Sequence, residues 1–183
     1  MIRTVLFTTD ISGFRLIPEK DLILIVVPEN RIKTEKVQGV MAYCKKERIP
    51  FVIQPSTKTR RKIKEVSGLA DHFEMFFPLY EPDYIVSWLY SQIIPMSILS
   101  MAEKGNCNFH GGLPGAHGLR RTLEDGLREL PIFWHVMTDV VDGGLKLAFD
   151  IININGYNFE TARALMIEIG IEMFKKRICK DEK

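Results

Sequence analysis

The chain has 183 residues, of which 46% are hydrophobic and 26% charged, and its net charge is +2 at pH 7. These values are typical of one globular chain with a substantial core, and so small a net charge predicts neither a nucleic-acid nor a membrane partner. The cysteines Cys44, Cys107 and Cys179 are widely spaced and odd in number, which argues against a disulfide framework or a zinc site and favours a reducing, cytoplasmic setting.

The first part of the chain alternates strand-like and helix-like segments. Thr4 to Phe7 and Leu22 to Val27 are continuous apolar runs, as expected for parallel strands that are buried on both faces. Only about a dozen residues join them, which leaves little room for a crossover helix. Lys36 to Arg48 has the spacing of an amphipathic helix, and Phe51 to Ile53 predicts a short strand.

A basic segment follows. If Thr57 to Leu69 is helical, it carries several cationic side chains within about two turns: Lys58, Arg60, Arg61, Lys62 and Lys64. One interpretation is a solvated basic helix start. The other is a patch for the phosphates of a nucleotide-linked acceptor.

The middle of the chain predicts a central strand, a short helix, a strand and a longer helix. The strand Tyr84 to Leu89 leads into a helix from Pro95 to Lys104, with proline in its first turn. Cys107 to Phe109 predicts the next strand, and Leu119 to Leu130 predicts a helix. The apolar stretch from Tyr84 onwards is interrupted by polar residues and proline, so no membrane span is expected.

The last part predicts two adjacent strands, Ile132 to Met137 and Leu145 to Ile152, and a final helix. The helix has apolar residues at helical spacing, among them Ala162 and Met173, and it ends in a basic run that suits a helix carboxyl end. Early alternation followed by adjacent strands predicts the α/β class with a mixed sheet. We expect one domain, residues 1–183.

The loop that follows Cys107 to Phe109 is rich in glycine and contains two histidines. Asn108 and His110 are two residues apart, so on an extended strand their side chains share one face. Asp142 lies in a tight turn between two predicted strands. If those strands are neighbours in one sheet, Asn108, His110 and Asp142 can meet.

These features resemble the folate-dependent formyltransferases, the family of the methionyl-tRNA, glycinamide ribonucleotide and sugar N-formyltransferases. The resembling features are the Asn-x-His pair, its Gly/Pro-rich loop and the later Asp-x-Gly turn. The segments Pro82 to Pro95 and Ile49 to Pro55 resemble two further blocks of that family, and the resemblance runs in order from about Ile2 to Ile152. It implies a single Rossmann-like formyltransferase domain with a mostly parallel, mixed central sheet and flanking helices, shortened by the absence of a carboxyl-terminal domain.

The resemblance implies catalytic roles for three residues. Asn108 donates its side-chain amide to the oxyanion, and His110 moves the proton of the acceptor amine. Asp142 holds the orientation and tautomer of the imidazole. Other interpretations are a hydrogen-bonded structural histidine at His110 and an ordinary turn residue at Asp142.

The resemblance also implies a place for the formyl donor, 10-formyltetrahydrofolate. Tyr90, Gln92, Ile93 and Ile94, together with the Asp142 turn, hold the pterin largely through backbone contacts. An ordinary strand-to-helix connection is the alternative interpretation of this loop. No metal is implied, and no spacing of metal ligands is visible.

The implied function is transfer of a formyl group to a primary amine of a small molecule, and an amino-sugar nucleotide is the first acceptor to test. Two alternatives stay open. The loop from His110 to Gly118 is one residue shorter than in the tRNA and sugar enzymes, which weakens the transfer of activity, and the same three residues could also serve an attacking water. One is a folate-binding or partner-binding module without turnover, and the other is a formyltetrahydrofolate hydrolase. No nucleic-acid partner is expected, and a homodimer stays open.

The remaining histidines receive other expectations. We expect His135 to be a sheet or core residue, His117 to line the mouth of the pocket and His72 to lie on the surface.

Overall fold

The computed structural model describes residues 2–67, 72–113, 115 and 117–178, with the backbone alone for residues 63–67, 72 and 76. The chain divides into two compact units, Met1–Asn106 and Cys107–Lys183. Among the described residues there is no helix with the length and apolar character that a membrane span requires.

Parallel strands form the centre of the first unit: β1 (Thr4–Thr8), β2 (Leu22–Pro28), β3 (Phe51–Gln54) and β4 (Tyr84–Trp88), in the order β3-β2-β1-β4. Every residue of β1 is buried, which explains its uninterrupted apolar sequence. The predicted strands of this part of the chain are therefore confirmed. Residues 9–21, all of which the structure describes, form only two short 3-10 turns, as expected from the short connection between β1 and β2.

Helices flank this parallel sheet. Helix α1 (Glu35–Glu47) begins after Thr34, whose side chain accepts a hydrogen bond from the Val37 amide, and it ends at Arg48 in the left-handed conformation. Helices α2 (Thr57–Ser67) and α3 (His72–Phe76) follow β3. The predicted end of the basic helix, Leu69, lies outside the described residues.

The helix predicted from Pro95 to Lys104 is shorter than expected. Helix α4 covers only Met96–Leu99, with Pro95 as its amino-terminal cap. The amides of Glu103 and Lys104 donate to the carbonyls of Pro82 and Asp83, at 3.0 and 2.8 Å. These bonds tie the chain to the entry of β4, so it cannot continue as a helix.

Antiparallel strands form the second unit. Strand β5 (Gly105–Gly111) leads into it, and β6 (Glu129–His135) pairs with both β5 and β7 (Lys146–Asn153). Parallel pairs early in the chain and antiparallel pairs late confirm the predicted α/β class with a mixed sheet. The register places Asn108 opposite His135, and His110 opposite Phe133.

The helix predicted from Leu119 to Leu130 is also wrong at its carboxyl end. Helix α5 covers Gly118–Glu124, and the chain turns at Gly126 with φ +68°, a conformation that ends helices. Leu130 is a fully buried residue of β6. Strand pairing therefore overrides the apolar spacing that had suggested a longer helix.

Helix α6 (Phe159–Met173) covers one face of β6. The indole Nε1 of Trp134 donates to the carbonyl of Gly170 at 2.9 Å, and the Trp134 ring lies 4.8 Å from that of Phe174. A π-helical turn, Phe174–Ile178, follows and carries the predicted basic residues at the helix end. With this face covered, the other face of β5 and β6 is left for the polar residues of the site.

Candidate active site

One face of β5 and β6 carries four residues that can contact one another. Residues directly opposite each other in antiparallel strands share a face, so Asn108 shares a face with His135, and His110 with Phe133. The Phe133 ring lies 5.1 Å from the His110 ring and 5.5 Å from the His135 ring. The face therefore combines two imidazoles, an amide and one apolar ring.

Asp142 reaches this face from the turn between β6 and β7. The Val136 amide donates to the Leu145 carbonyl at 2.9 Å, which closes the turn. Gly144 leaves no space for a side chain, since a Cβ there would lie 1.8 Å from the Val136 oxygen. Asp142 itself has φ 55°, a left-handed conformation that Asp tolerates better than most residues.

The carboxylate of Asp142 lies between the two histidines. Its Oδ2 accepts a hydrogen bond from the Gly115 amide at 2.8 Å and lies 3.4 Å from Nδ1 of His110. Its Oδ1 lies 3.6 Å from Nε2 of His135. The side chains of His110, Asp142 and His135 are 13, 9 and 3% exposed, so this carboxylate acts at short range with little solvent screening.

The second ring nitrogen of His110 contacts the loop that follows it. Nε2 lies 3.0 Å from the Leu113 carbonyl and can donate to it. A Cβ at Gly118 would lie 2.5 Å from that carbonyl oxygen and 3.1 Å from His110 Nε2. Only glycine fits there, so the loop packs directly on the imidazole. Pro114 and Ala116 lie outside the described residues.

His135 also belongs to the cluster, beyond the sheet or core role that we predicted for it. Its Nδ1 lies 2.9 Å from the Val136 carbonyl, and its Nε2 lies 3.0 Å from Nδ2 of Asn108. Burial is the largest effect on the pKa of His135 and lowers it, and the charge of His110 lowers it further. The hydrogen bond to Val136 and the charge of Asp142 act in the opposite direction and raise it. Local sequence carries no signal for this contact, which depends on the register between β5 and β6.

The residues predicted to hold the pterin form a loop of the first unit that side-chain amides keep in place. Gln54 accepts from the Tyr90 hydroxyl at 2.7 Å and donates to the Ile93 carbonyl at 2.9 Å. Gln92 donates to the Gln54 carbonyl at 3.3 Å. Ile93 is 75% exposed, whereas Ile94 is buried. The apolar side chain of Ile93 is thus presented to solvent by a fixed backbone.

Burial of Tyr90 raises its pKa well above the usual range. Its hydroxyl therefore stays protonated and keeps donating to Gln54 across the neutral range. Asp142, the fifth residue predicted to bind folate, belongs to the second unit.

The predicted basic helix and the remaining histidines have their own surroundings. Lys58, Arg61 and Lys62 are exposed, whereas Arg60 forms an ion pair with Glu74. His117 is exposed and caps the start of α5. The side chains of Lys64 and His72, and all of Cys179, lie outside the described residues. Across the part of the chain that the structure describes, no group of three or more His, Cys, Asp or Glu could hold a metal ion.

Comparison with known proteins defines the class. Residues 28–167 match the model of the formyl transferase family, and the chain therefore belongs to this family. None of the curated proteins matches the chain with significance.

Solved structures share the fold at low sequence identity. The phosphoribosylglycinamide formyltransferase from Bacillus halodurans is 16% identical, with a TM-score of 0.70 over 93% of this chain and 90% of that one. The Streptococcus pneumoniae enzyme of the same name is 16% identical, with a TM-score of 0.72 over 95% of each chain. The sugar 3N-formyl transferase WlaRD, described in the presence of dTDP and 5-N-formyl-THF, is 12% identical, with a TM-score of 0.67 over 96% of this chain and 61% of that one.

Proposed function

We propose that the chain acts as a single formyltransferase domain that transfers a formyl group from 10-formyltetrahydrofolate to a primary amine of a small molecule. The observation that carries the proposal is the cluster of Asn108, His110 and Asp142 on one sheet face in a member of the formyl transferase family. This cluster contains the hydrogen-bond donor and the acid–base group that acyl transfer requires.

The loop from Tyr90 to Ile94 suits the pterin of the donor. A flat heterocycle can pack on exposed apolar surface, and a backbone that is already held in place binds it with less loss of entropy. Ile93 offers exposed apolar surface, and Gln54 and Gln92 fix the backbone around it. The bound donor would supply the activated formyl group. The side chains of Tyr90, Gln54 and Gln92 are neutral, so their contacts do not change with pH.

His110 is the group that moves protons. Both of its ring nitrogens lie near oxygen atoms, one on Asp142 and one on the Leu113 carbonyl. The carboxylate therefore stabilises the imidazolium that forms when His110 takes a proton from the acceptor amine. Because the Leu113 carbonyl occupies Nε2, the loop has to release that nitrogen if it faces the acceptor.

Asn108 is the donor to the formyl oxygen. Its side-chain amide carries two N–H groups, and the contact with His135 uses one of them. The other can donate to the negative charge that develops on that oxygen during transfer. An amide does not titrate, so this contribution is available at any pH at which its orientation holds.

An amino-sugar nucleotide is the first acceptor to test, because the His110-Gly111 pair resembles the sugar enzymes. The structural neighbours include proteins named for phosphoribosylglycinamide and for a sugar, so glycinamide ribonucleotide belongs in the same panel. We place the reaction in the cytoplasm, since the chain has three widely spaced cysteines and an odd, scattered set argues against a disulfide framework.

The test mixes the purified protein with 10-formyltetrahydrofolate, first alone and then with each amine, and follows donor loss, formate and formylated product. Product that depends on both the amine and the protein supports the proposal. Formate release from donor alone identifies a hydrolase instead. Donor binding without turnover across the panel supports a folate-binding module, and absence of both binding and turnover contradicts both enzymatic functions.

A further inference from the structure

We infer that His135 is a positioning residue for the proposed formyl transfer: it fixes the side-chain amide of Asn108 with its N–H groups toward the reacting oxygen, and it does so only while its own ring is neutral. The inference deepens the proposed function and rests on it. It assigns a role to a buried histidine that the roles of Asn108, His110 and Asp142 leave unused.

A backbone contact fixes the tautomer of His135. Nδ1 lies 2.9 Å from the Val136 carbonyl oxygen, which can only accept, so the ring proton of the neutral form belongs on Nδ1. Nε2 then carries a lone pair. The backbone of β6 thereby makes Nε2 a hydrogen-bond acceptor.

The tautomer of His135 in turn fixes the orientation of the Asn108 amide. The amide oxygen and nitrogen of an asparagine are told apart by their partners, and a lone pair on His135 Nε2 requires a donor opposite it. At 3.0 Å that donor is Nδ2 of Asn108. One N–H is used in this bond, and the other is held on the same side of the amide, where it can serve the formyl oxygen.

Protonation of His135 would change the orientation of the Asn108 amide. A doubly protonated His135 would place an N–H against the Nδ2 of Asn108, so two donors would face each other. The amide then has to rotate and present Oδ1 to the ring, which removes its N–H groups from the formyl oxygen. The charged ring would also attract Oδ1 of Asp142, 3.6 Å away, in competition with His110.

The charged and titratable groups around His135 come from three elements. Asp142 faces it from the turn after β6, His110 from β5, and Lys146 is its register partner on β7. Asp142 favours the charged ring, whereas His110 and burial oppose it, and burial is the largest effect on its pKa. The ring is therefore neutral at neutral pH and becomes charged only as the solution turns acidic.

The test that needs no turnover is NMR of the Asn108 side-chain amide as a function of pH, in the His110→Ala background so that His110 cannot contribute. We expect His135 to be protonated on Nδ1 at neutral pH, and the Asn108 Nδ2 signal to shift with the same titration midpoint as the His135 ring. An Asn108 signal that does not respond when His135 titrates overturns the inference, whether or not the protein transfers formyl groups.

The kinetic test uses His135→Gln and His135→Leu in the otherwise unchanged protein. The Oε1 of Gln can accept from Asn108 and does not titrate, so kcat at neutral pH should stay within about threefold of wild type. On the acid side of the pH profile, kcat should depend on one ionisation fewer than in wild type. Leu offers no acceptor, and kcat should fall, by at most the roughly 10²–10³-fold worth of the donor itself, with KM little changed. Equal losses in both variants, or an unchanged acid limb in His135→Gln, would contradict the inference; if Gln fails to fold, the NMR result decides.

Discussion

Two loops of this chain, one in each unit, are held by side-chain hydrogen bonds of opposite character. The loop from Tyr90 to Ile94 is held by Gln54 and Gln92, whose amides are neutral at any pH. The loop that follows His110 is held by that imidazole and by the carboxylate of Asp142. The contacts of the first loop do not depend on protonation, whereas the second loop is built from the groups that we propose to carry out the proton transfer.

The difference suits different roles for the two loops, ligand binding for the first and acid–base chemistry for the second. A surface that binds a ligand gains from a fixed backbone, because no ordering has to accompany binding. A site that performs acid–base work needs groups that titrate near neutrality. We therefore expect changes in the first loop to affect affinity and stability, and changes in the second to affect rate and pH dependence.

The largest effect is expected for His110→Ala. Loss of a positioned acid–base group should lower kcat about 10²–10⁴-fold, while circular dichroism shows an unchanged fold. The exposed Glu124 of α5 gives the control, and Glu124→Ala should retain wild-type kcat. Equal turnover by wild type and His110→Ala would remove His110 from the mechanism.

The next effect is expected for Asn108→Ala, which removes the proposed donor to the formyl oxygen. Its kcat should fall roughly 10²–10³-fold. Asn155→Ala, at an exposed position of the same unit, is the control. A loss of folding in Asn108→Ala, instead of a loss of rate, would favour a structural role.

A smaller effect, on stability alone, is expected for Gln54→Leu in the first loop. The change leaves the Tyr90 hydroxyl and the Ile93 carbonyl without their partner, and an unsatisfied buried group costs about 1–3 kcal/mol. Urea unfolding measures the loss, which should be the same at pH 6 and pH 8. Lys45→Leu, at an exposed position of α1, should stay within about 0.5 kcal/mol of wild type. A pH-dependent loss in Gln54→Leu would break the contrast between the loops.

The smallest effect is the acid dependence of stability contributed by His135. Because its pKa is lowered in the folded protein, the unfolded chain binds the proton more readily, and stability falls as the pH drops below the unfolded value of about 6.5. His135→Gln removes this contribution. Its free energy of unfolding should therefore decline less between pH 7.5 and pH 5.5 than that of wild type, and an equal decline would contradict the assignment.

Sequence predicted the parts of the structure that depend on local pattern. The apolar run of β1 and the spacing of α1 are such cases, and both elements lie where they were predicted. The helix after Gly118 was predicted too long, because the pairing of β6 with its neighbours competes with helix spacing beyond Glu124.

The candidate site shows the same limit. The spacing of Asn108 and His110 on one strand face is local, and it could be predicted. The contact between Asn108 and His135 joins residues 27 positions apart through a strand register that no short window of sequence contains. The support that Gln54 gives to the Tyr90 loop is of the same kind.

The most direct test of the central claim measures donor affinity and single-turnover rate in two variants, one from each loop. Ile93→Ala should weaken donor binding about tenfold, since burial of an aliphatic side chain contributes about 1.5 kcal/mol or more, and leave the rate with saturating donor unchanged. His110→Ala should bind donor as wild type does and lose the rate. We expect this crossed pattern. A His110→Ala variant that keeps its rate, or an Ile93→Ala variant that loses rate but not affinity, would contradict the proposed roles of the two loops.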